Sequence, residues 1–329
     1  VIRLTNACGQ SKDALIQVTV TPVIVGPGSP VPTLPPADRP VISPPTGLNA
    51  GSVLFFNAYS SSTDYRHDSM ISLTNTHPVQ SVPVRILFID GQTGAAESRF
   101  LNLTPNQTIR FLASDQDPGV TGYIIALALD DHGCPLNFNY LIGEAAVRFE
   151  SGHTSNLAAI AVAALADSTL LCQPGLVIDL PFDGNVFQML PRTLAVNSVP
   201  SRLDGNQTLL IVNRLGGNLT TAISPIGTIS GSLYNDVEAE WYFTIQGNSP
   251  QLRGIMASAT FPLTSLRFEN VVPAGRTGWI RLATTAETGI IGAVINLNSS
   301  GYNNGHNLHA LTLTPSTHYL LPIVSPSSQ

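Results

Sequence analysis

Two aspartates two positions apart, Asp115 and Asp117 in Ser-Asp-Gln-Asp-Pro-Gly, offer the oxygen spacing of a calcium loop. The rest of an EF-hand loop is missing, so the same residues also read as a turn bonded by its own side chains. His306 and His309 stand three apart, a spacing that on a helix would aim two imidazoles at one zinc or nickel ion. Gly305 and the neighbouring asparagines predict an irregular loop instead. Asp130-Asp131-His132 beside Cys134 has metal-binding donor types, but no second matching pair is near, which favours a solvated turn. Asp64, His67 and Asp68 can be drawn as a hydrolytic loop. Yet no Gly-x-Ser-x-Gly elbow accompanies them, and no paired acids fall on matched strand ends. The expectation is a protein that is not an enzyme and needs no cofactor, with Asp115, Asp117, His306 and His309 as the remaining metal candidates.

The elements that would carry these residues are unusual in composition. Of 329 residues, 43% are hydrophobic and 11% are charged, less than half the usual charged share. Lys12 is the single lysine, the net charge is −6, and no basic patch forms, which argues against nucleic acid as a partner. No apolar run reaches the ~18 residues of a membrane helix, so no membrane insertion is expected. A β surface rich in Thr, Asn and Gly with few charges suits packing against copies of the same chain. It equally suits an ordinary secreted sandwich. The chain opens in mid-strand, which reads as a processed product or a fragment.

Residues 1–25 form an arm, with a strand from Val1 to Asn6, a turn through Asp13 and a second strand from Ala14 to Val25. Its apolar set is Leu15, Ile16, Val18, Val20, Val23 and Val25, and a lone hairpin of this kind is marginal in water. Residues 26–47 carry eight prolines. Extended at ~3.1 Å per residue they could span roughly 65 Å, enough to reach a neighbouring subunit. Short strands with turn signals then fill residues 48–175 and 176–329, two β-sandwich domains. The Ala/Leu-rich stretch near 155–166 predicts the one helix, and Leu176 to Pro200 reads as a crossing segment.

The halves look like one pattern written twice. Met70–Asn75 answers Thr208–Asn213, and Arg85–Asp90 answers Ile229–Tyr234. Arg99–Pro105 answers Arg267–Pro273, Thr108–Leu112 answers Thr277–Leu282, and Gly122–Ala128 answers the run from Gly289. Three cysteines leave an odd count. Cys134 and Cys172, in one half, are the expected disulfide, and Cys8 is free or bridged to another chain.

The text Val1 to Val20, with its Thr-Asn-Ala-Cys-Gly turn, resembles the last hairpin of a bacterial immunoglobulin-like domain. Ser72-Leu-Thr-Asn-Thr-His-Pro78, Phe88-Ile-Asp-Gly91, Phe111–Gly119 and Asn304–His309 resemble uncharacterised exported β-sandwich proteins of environmental bacteria. These resemblances imply export and an all-β fold: two tandem immunoglobulin-like sandwiches, one short helix, and an N-terminal strand arm on a Pro-rich linker. They imply no activity. The leading expectation is a subunit of an extracellular filament or surface sheath. In it the arm of one copy adds a strand to the next copy, and the partner is the chain itself. The rival is a monomeric cell-surface adhesin or carbohydrate-binding module, in which Tyr59, Tyr65, Trp241 or Trp279 would form a stacking platform.

Overall fold

The computed structural model describes residues 2–5, 11–14, 49–62, 67–149, 152–167, 177–256, 268–284, 288–299 and 303–322. The chain divides into two compact units, Val1–Arg39 and Pro40–Gln329. In the first, β1 (Ile2–Thr5) and β2 (Ser11–Ala14) pair antiparallel, with Ile2 opposite Ala14. The second strand thus begins at Ser11 rather than Ala14. Leu15, Ile16, Val18, Val20, Val23, Val25, Cys8, Cys172 and the Pro-rich stretch lie outside the described residues.

The second unit opens with nine strands. They are β3 (Val53–Ser60), β4 (Ser69–Asn75), β5 (Val82–Asp90), β6 (Ala96–Leu103), β7 (Thr108–Leu112), β8 (Thr121–Ala128), β9 (Leu141–Arg148), β10 (Thr154–Ala158) and β11 (Ile160–Val162). They make a four-stranded sheet in the order β10-β9-β4-β7 and a five-stranded sheet in the order β11-β3-β8-β5-β6. After β12 (Val177–Pro181) come β13 (Pro191–Pro200), β14 (Gln207–Leu215), β15 (Gly217–Asn218), β16 (Gly227–Asn235), β17 (Glu240–Gly247) and β18 (Gln251–Met256). A one-turn helix α1 (Phe268–Val271) precedes β19 (Thr277–Thr284), β20 (Gly289–Leu297), β21 (Asn304–Asn307), β22 (His309–Leu313) and β23 (His318–Pro322). Here the sheets run β21-β20-β14-β18 and β22-β13-β19-β16-β17, the first arrangement repeated strand for strand.

Local details repeat as well. The register slips by a bulge between Phe56 and Tyr59 in β3, and between Val196 and Val199 in β13. Each bulge holds an asparagine, Asn57 or Asn197. Gly122 of Thr-Gly-Tyr-Ile sits opposite Asp90, and Gly278 of Thr-Gly-Trp-Ile sits opposite Asn235. Asp90 and Asn235 then turn the chain alike, each side-chain oxygen accepting the backbone N–H two residues on.

The doubled pattern read from the sequence therefore recurs in the strand order, but three of its five matches are misplaced. β6 corresponds to β17, not to the α1 segment. β7 corresponds to β18 and β8 to β19, while β20 answers β9. The order keeps two pairings of an immunoglobulin sandwich, second strand with fifth and third with sixth. It seats the first strand beside the sixth and the seventh beside the second, the reverse of that fold. The architecture is an all-β, mostly antiparallel sandwich with one short α-helix among the described residues.

That helix is not the one expected. Residues 154–162 are β10 and β11, which pair with β9 and β3 respectively. Ser155 and Leu157 point inward while Thr154 and Asn156 point out, a period of two that overrides the Ala/Leu propensity. Between the strands Ala159 donates to the Gly143 carbonyl and the chain steps from one sheet to the other, so small side chains are needed there. The predicted crossing segment, Leu176 to Pro200, holds β12 and all of β13.

Three cores explain the layering. Leu54, Phe56, Ile86 and Phe88 face Ile71, Leu73, Ala145 and Val147 between the first two sheets, and Leu209, Ile211, Ala293 and Ile295 from the second repeat join them. Leu194, Ile229, Leu233, Ile280 and Leu282 meet Leu210, Val212, Ile290 and Val294 inside the second sandwich. The third core lies on the back of the first five-stranded sheet. There β12-β23-β15 forms a covering layer whose Ile178, Leu180, Tyr319 and Leu321 bury Val53, Phe55, Leu87, Ile89, Tyr123 and Ile125. β3, β5 and β8 are thus apolar on both faces, which is why they read as continuous hydrophobic runs. Arg85 crosses this layer. Its Nη1 donates to the Pro322 carbonyl at 2.7 Å and its Nε to Ser98 at 2.9 Å, and burial lowers its pKa to about 10.

Candidate functional site

The equivalent back face of the second repeat carries no such layer among the described residues. Its outward positions are polar or aromatic: Glu240, Tyr242 and Thr244 on β17, Ser230, Ser232 and Tyr234 on β16, and Trp279, Arg281 and Ala283 on β19. The matching positions of the first repeat include Leu87, Ile89, Tyr123, Ile125 and Leu127, all buried. One backbone scaffold therefore supports a core in one copy and an open platform in the other.

The register arranges this platform in rows. Glu240, Tyr234 and Trp279 are neighbours across three strands; Tyr242, Ser232 and Arg281 form the next row; Thr244, Ser230 and Ala283 form the third. Tyr234 and Trp279 stack with centroids 4.4 Å apart and planes 11° from parallel. Tyr242 stacks on no other ring among the described residues and is 76% exposed. Tyr234 Oη donates to Glu240 Oε1 at 2.5 Å. That bond holds the Glu240 carboxyl below the usual carboxylate range, with the Tyr242 and Ser232 hydroxyls and the Arg281 charge pulling the same way. Both phenols are pushed up in turn, chiefly by their bonds to Glu240. Beside this network Ser230, Gly231, Ser232, Tyr242, Arg281 and Ala283 border a shallow hollow of about 510 Å³. The face combines an apolar ring surface with a fixed acceptor, hydroxyls and a cation, the parts needed to hold a polyhydroxylated ring by stacking and hydrogen bonding.

The residues singled out from the sequence lie elsewhere, except one. Trp279 is on the platform. Trp241 faces inward and packs on the second-repeat core, Tyr59 is fully buried, and Tyr65 lies outside the described residues. Asp117 is also buried, its Oδ2 accepting the Tyr59 hydroxyl at 2.6 Å, so it does not open toward a calcium ion with Asp115. His306 and His309 are not in an irregular loop but on β21 and β22, with rings 6.5 Å apart and His306 Nε2 at 2.5 Å from Asn197 Oδ1. Asp68 is tied to Ser69 and Ser114, and Asp130 turns its own loop by accepting from His132 and Cys134. Among the described residues no group of three His, Cys, Asp or Glu could hold a metal ion, and no helix is long and apolar enough to cross a membrane. Cys134 is disulfide-bonded.

Burial raises the pKa of Asp117, and the Tyr59 bond offsets this only in part. A carboxyl whose folded pKa lies above its unfolded value stabilises the fold below the unfolded pKa, and that stability is lost as pH rises through the folded one. Asp117→Asn keeps an acceptor for Tyr59 without the charge. It should match the parent at pH 3 and melt at a higher temperature at pH 7, as checked by thermal denaturation at both pH values.

No family model matches this chain, and no curated protein matches it. Among solved structures it is similar to the Pleurotus ostreatus lectin in its apo form, at 11% identity over 86% of this chain and 94% of that one, with a TM-score of 0.12. A likeness that slight carries no argument here. The reading of the site rests on its own geometry.

Proposed function

We propose that this protein is an extracellular glycan-binding protein, a surface adhesin or carbohydrate-binding module. In this reading two tandem sandwiches related to the immunoglobulin arrangement form the body and the second presents the binding face. One observation carries it: the β16-β17-β19 face is open and lined by Tyr242, Glu240, Arg281 and the Tyr234–Trp279 stack, where its counterpart in the first repeat is an apolar core. The disulfide at Cys134 supports an oxidising compartment. The test is retention on immobilised polysaccharides. Tyr242→Ala, at an exposed position, should leave the melting temperature unchanged and reduce retention at least tenfold. No retention of the parent by any glycan would end this reading.

The second reading is a self-assembling filament or sheath subunit built by N-terminal strand donation. What supports it is that the β1–β2 hairpin belongs to a unit separate from the body. Electron microscopy of the full chain beside a chain starting at Thr46 distinguishes the two, since this reading requires fibres from the first only.

A further inference from the structure

Resting on the glycan-binding reading, we propose that the platform selects a polysaccharide bearing carboxylates, and that Arg281 is the residue that reads the acid. Arg281 projects from the open face of β19, where its charge acts through space on Glu240 and Tyr234 but no hydrogen bond or close ion pair ties it to the described residues. Arg99, Arg202 and Arg276, also at the surface, each face a carboxylate, on Glu97, Glu269 and Asp236 respectively. The exposed Arg110 and Arg148, like Arg281, have none in contact among the described residues, but they do not stand beside the aromatic platform. A guanidinium with no carboxylate in contact, beside a hollow, is a ready fork for two parallel bonds to a ligand carboxylate.

Its placement suits a sugar. Neighbouring strands lie ~4.8 Å apart, so across Ser232 the backbones of Tyr242 and Arg281 are roughly 10 Å from each other. A ring stacked on Tyr242 can therefore extend a substituent toward Arg281 over the small residues between them. On the far side Ser230 and Ala283 are small as well, leaving room for the carboxylate away from Glu240. Glu240 stands one row off, about 7 Å along the strand, and its charge is engaged by the Tyr234 hydroxyl. It stays ionised and attracts Arg281 only through space, so it serves as an acceptor for ligand hydroxyls while the contact positions on the guanidinium are left to the acid.

The fold does not require this arginine. The same position in the first repeat is Ile125, whose strand keeps the same pairing. Arg281 can thus be changed without disturbing the sheet, which makes the test clean.

The test is affinity electrophoresis of the full chain through gels containing alginate, polygalacturonate, dextran sulfate or neutral dextran. The proposal expects retardation by the two uronate polymers above that by neutral dextran. Arg281→Gln should lower uronate retardation at least tenfold, and Arg281→Lys should recover only part of it. Neutral dextran retarding the parent equally, with Arg281→Gln silent, would overturn the acid selection while glycan binding stands. Stronger retardation by dextran sulfate than by both uronates would overturn the choice of carboxylate. No retardation by any polymer removes both this proposal and the reading beneath it. Sedimentation of the same variants adds a check: a parent dimer that Arg281→Gln dissociates would assign the face to a second copy instead.

Discussion

Gly122→Ala should unfold the first repeat or come close to it. A Cβ at this position would lie 1.8 Å from the Ile89 carbonyl oxygen and 2.8 Å from the Gly91 nitrogen. Both are backbone atoms, of β5 and of the turn that follows it, so no side-chain rotation relieves the clash. β8 is also held on its other side by β3, where Tyr59 faces Gly122, and shifting β8 away from β5 drives it into that partner. Overpacking typically costs about 1–3 kcal/mol when side chains give way, and a collision with fixed backbone should exceed that range. Gly278→Ala is the internal comparison. Its nearest contact is the equivalent carbonyl, of Tyr234, at 2.6 Å, so it should be destabilising but tolerated. Urea denaturation of the two variants measures the difference, and equal midpoints would contradict the argument.

The second large effect is expected at Asn213, where the repeats are joined by polar side chains in a buried place. Gln251 Nε2 donates to Asn213 Oδ1 at 2.7 Å, and Asn213 Nδ2 donates to the Asn57 carbonyl at 2.8 Å. Asn57 Nδ2 donates to Asn307 Oδ1, and Asn307 Nδ2 to the Ala158 carbonyl. The chain of amides thus runs from the second repeat through the bulge of β3 and back. Asn213→Ala removes its middle and leaves a buried donor on Gln251 and a buried acceptor on Asn57. Each unpaired group costs about 1–3 kcal/mol, so a loss of roughly 2–6 kcal/mol is expected in chemical denaturation. Asn213→Ala/Gln251→Ala should lose less than the two single changes added together, because the second removes the orphaned donor. Asn75, the counterpart in β4, bonds only within its own repeat, its Nδ2 donating to the Gln80, Leu103 and Thr104 carbonyls and its Oδ1 accepting from the His77 N–H. The same residue has taken up a new role in the second copy.

Much of this body was legible in the sequence, and the misreadings have identifiable causes. Strand existence followed from alternation and turn chemistry, and the duplication from recurrent short runs. The register of the repeats was lost because Arg-Phe followed by Pro, and Thr opening an apolar strand, recur by composition, whereas Thr-Gly-Tyr-Ile and Thr-Gly-Trp-Ile mark a steric requirement. The 155–166 stretch looked helical because alanine is a strong helix former, while the reason for alanine here is the crossing between two sheets. The covering layer was visible in principle. Val53-Leu-Phe-Phe and Ile86-Leu-Phe-Ile89 are apolar at both parities, which a half-open sheet does not need. The platform was legible by the opposite sign. In Glu240-Trp-Tyr-Phe-Thr-Ile-Gln246, Trp241 shares parity with Phe243 and Ile245 and so turns inward, leaving Glu240, Tyr242 and Thr244 outside. The stacking of Tyr234 on Trp279 was not readable, since it depends on which strands become neighbours.

The covering layer has a consequence for how the chain is made. β23 is the last strand described, yet it lies on β3, β5 and β8 near the start of the body. A ribosome releases the first repeat long before the strand that shields it exists. During that interval Val53, Phe55, Leu87, Tyr123 and Ile125 face water as one apolar sheet surface, a template for premature association. The second repeat, whose corresponding face is already wettable, can complete itself as it emerges. Synthesis in order thus leaves the earlier half waiting for the later one, and a chain cut before His318 would remain in that sticky state.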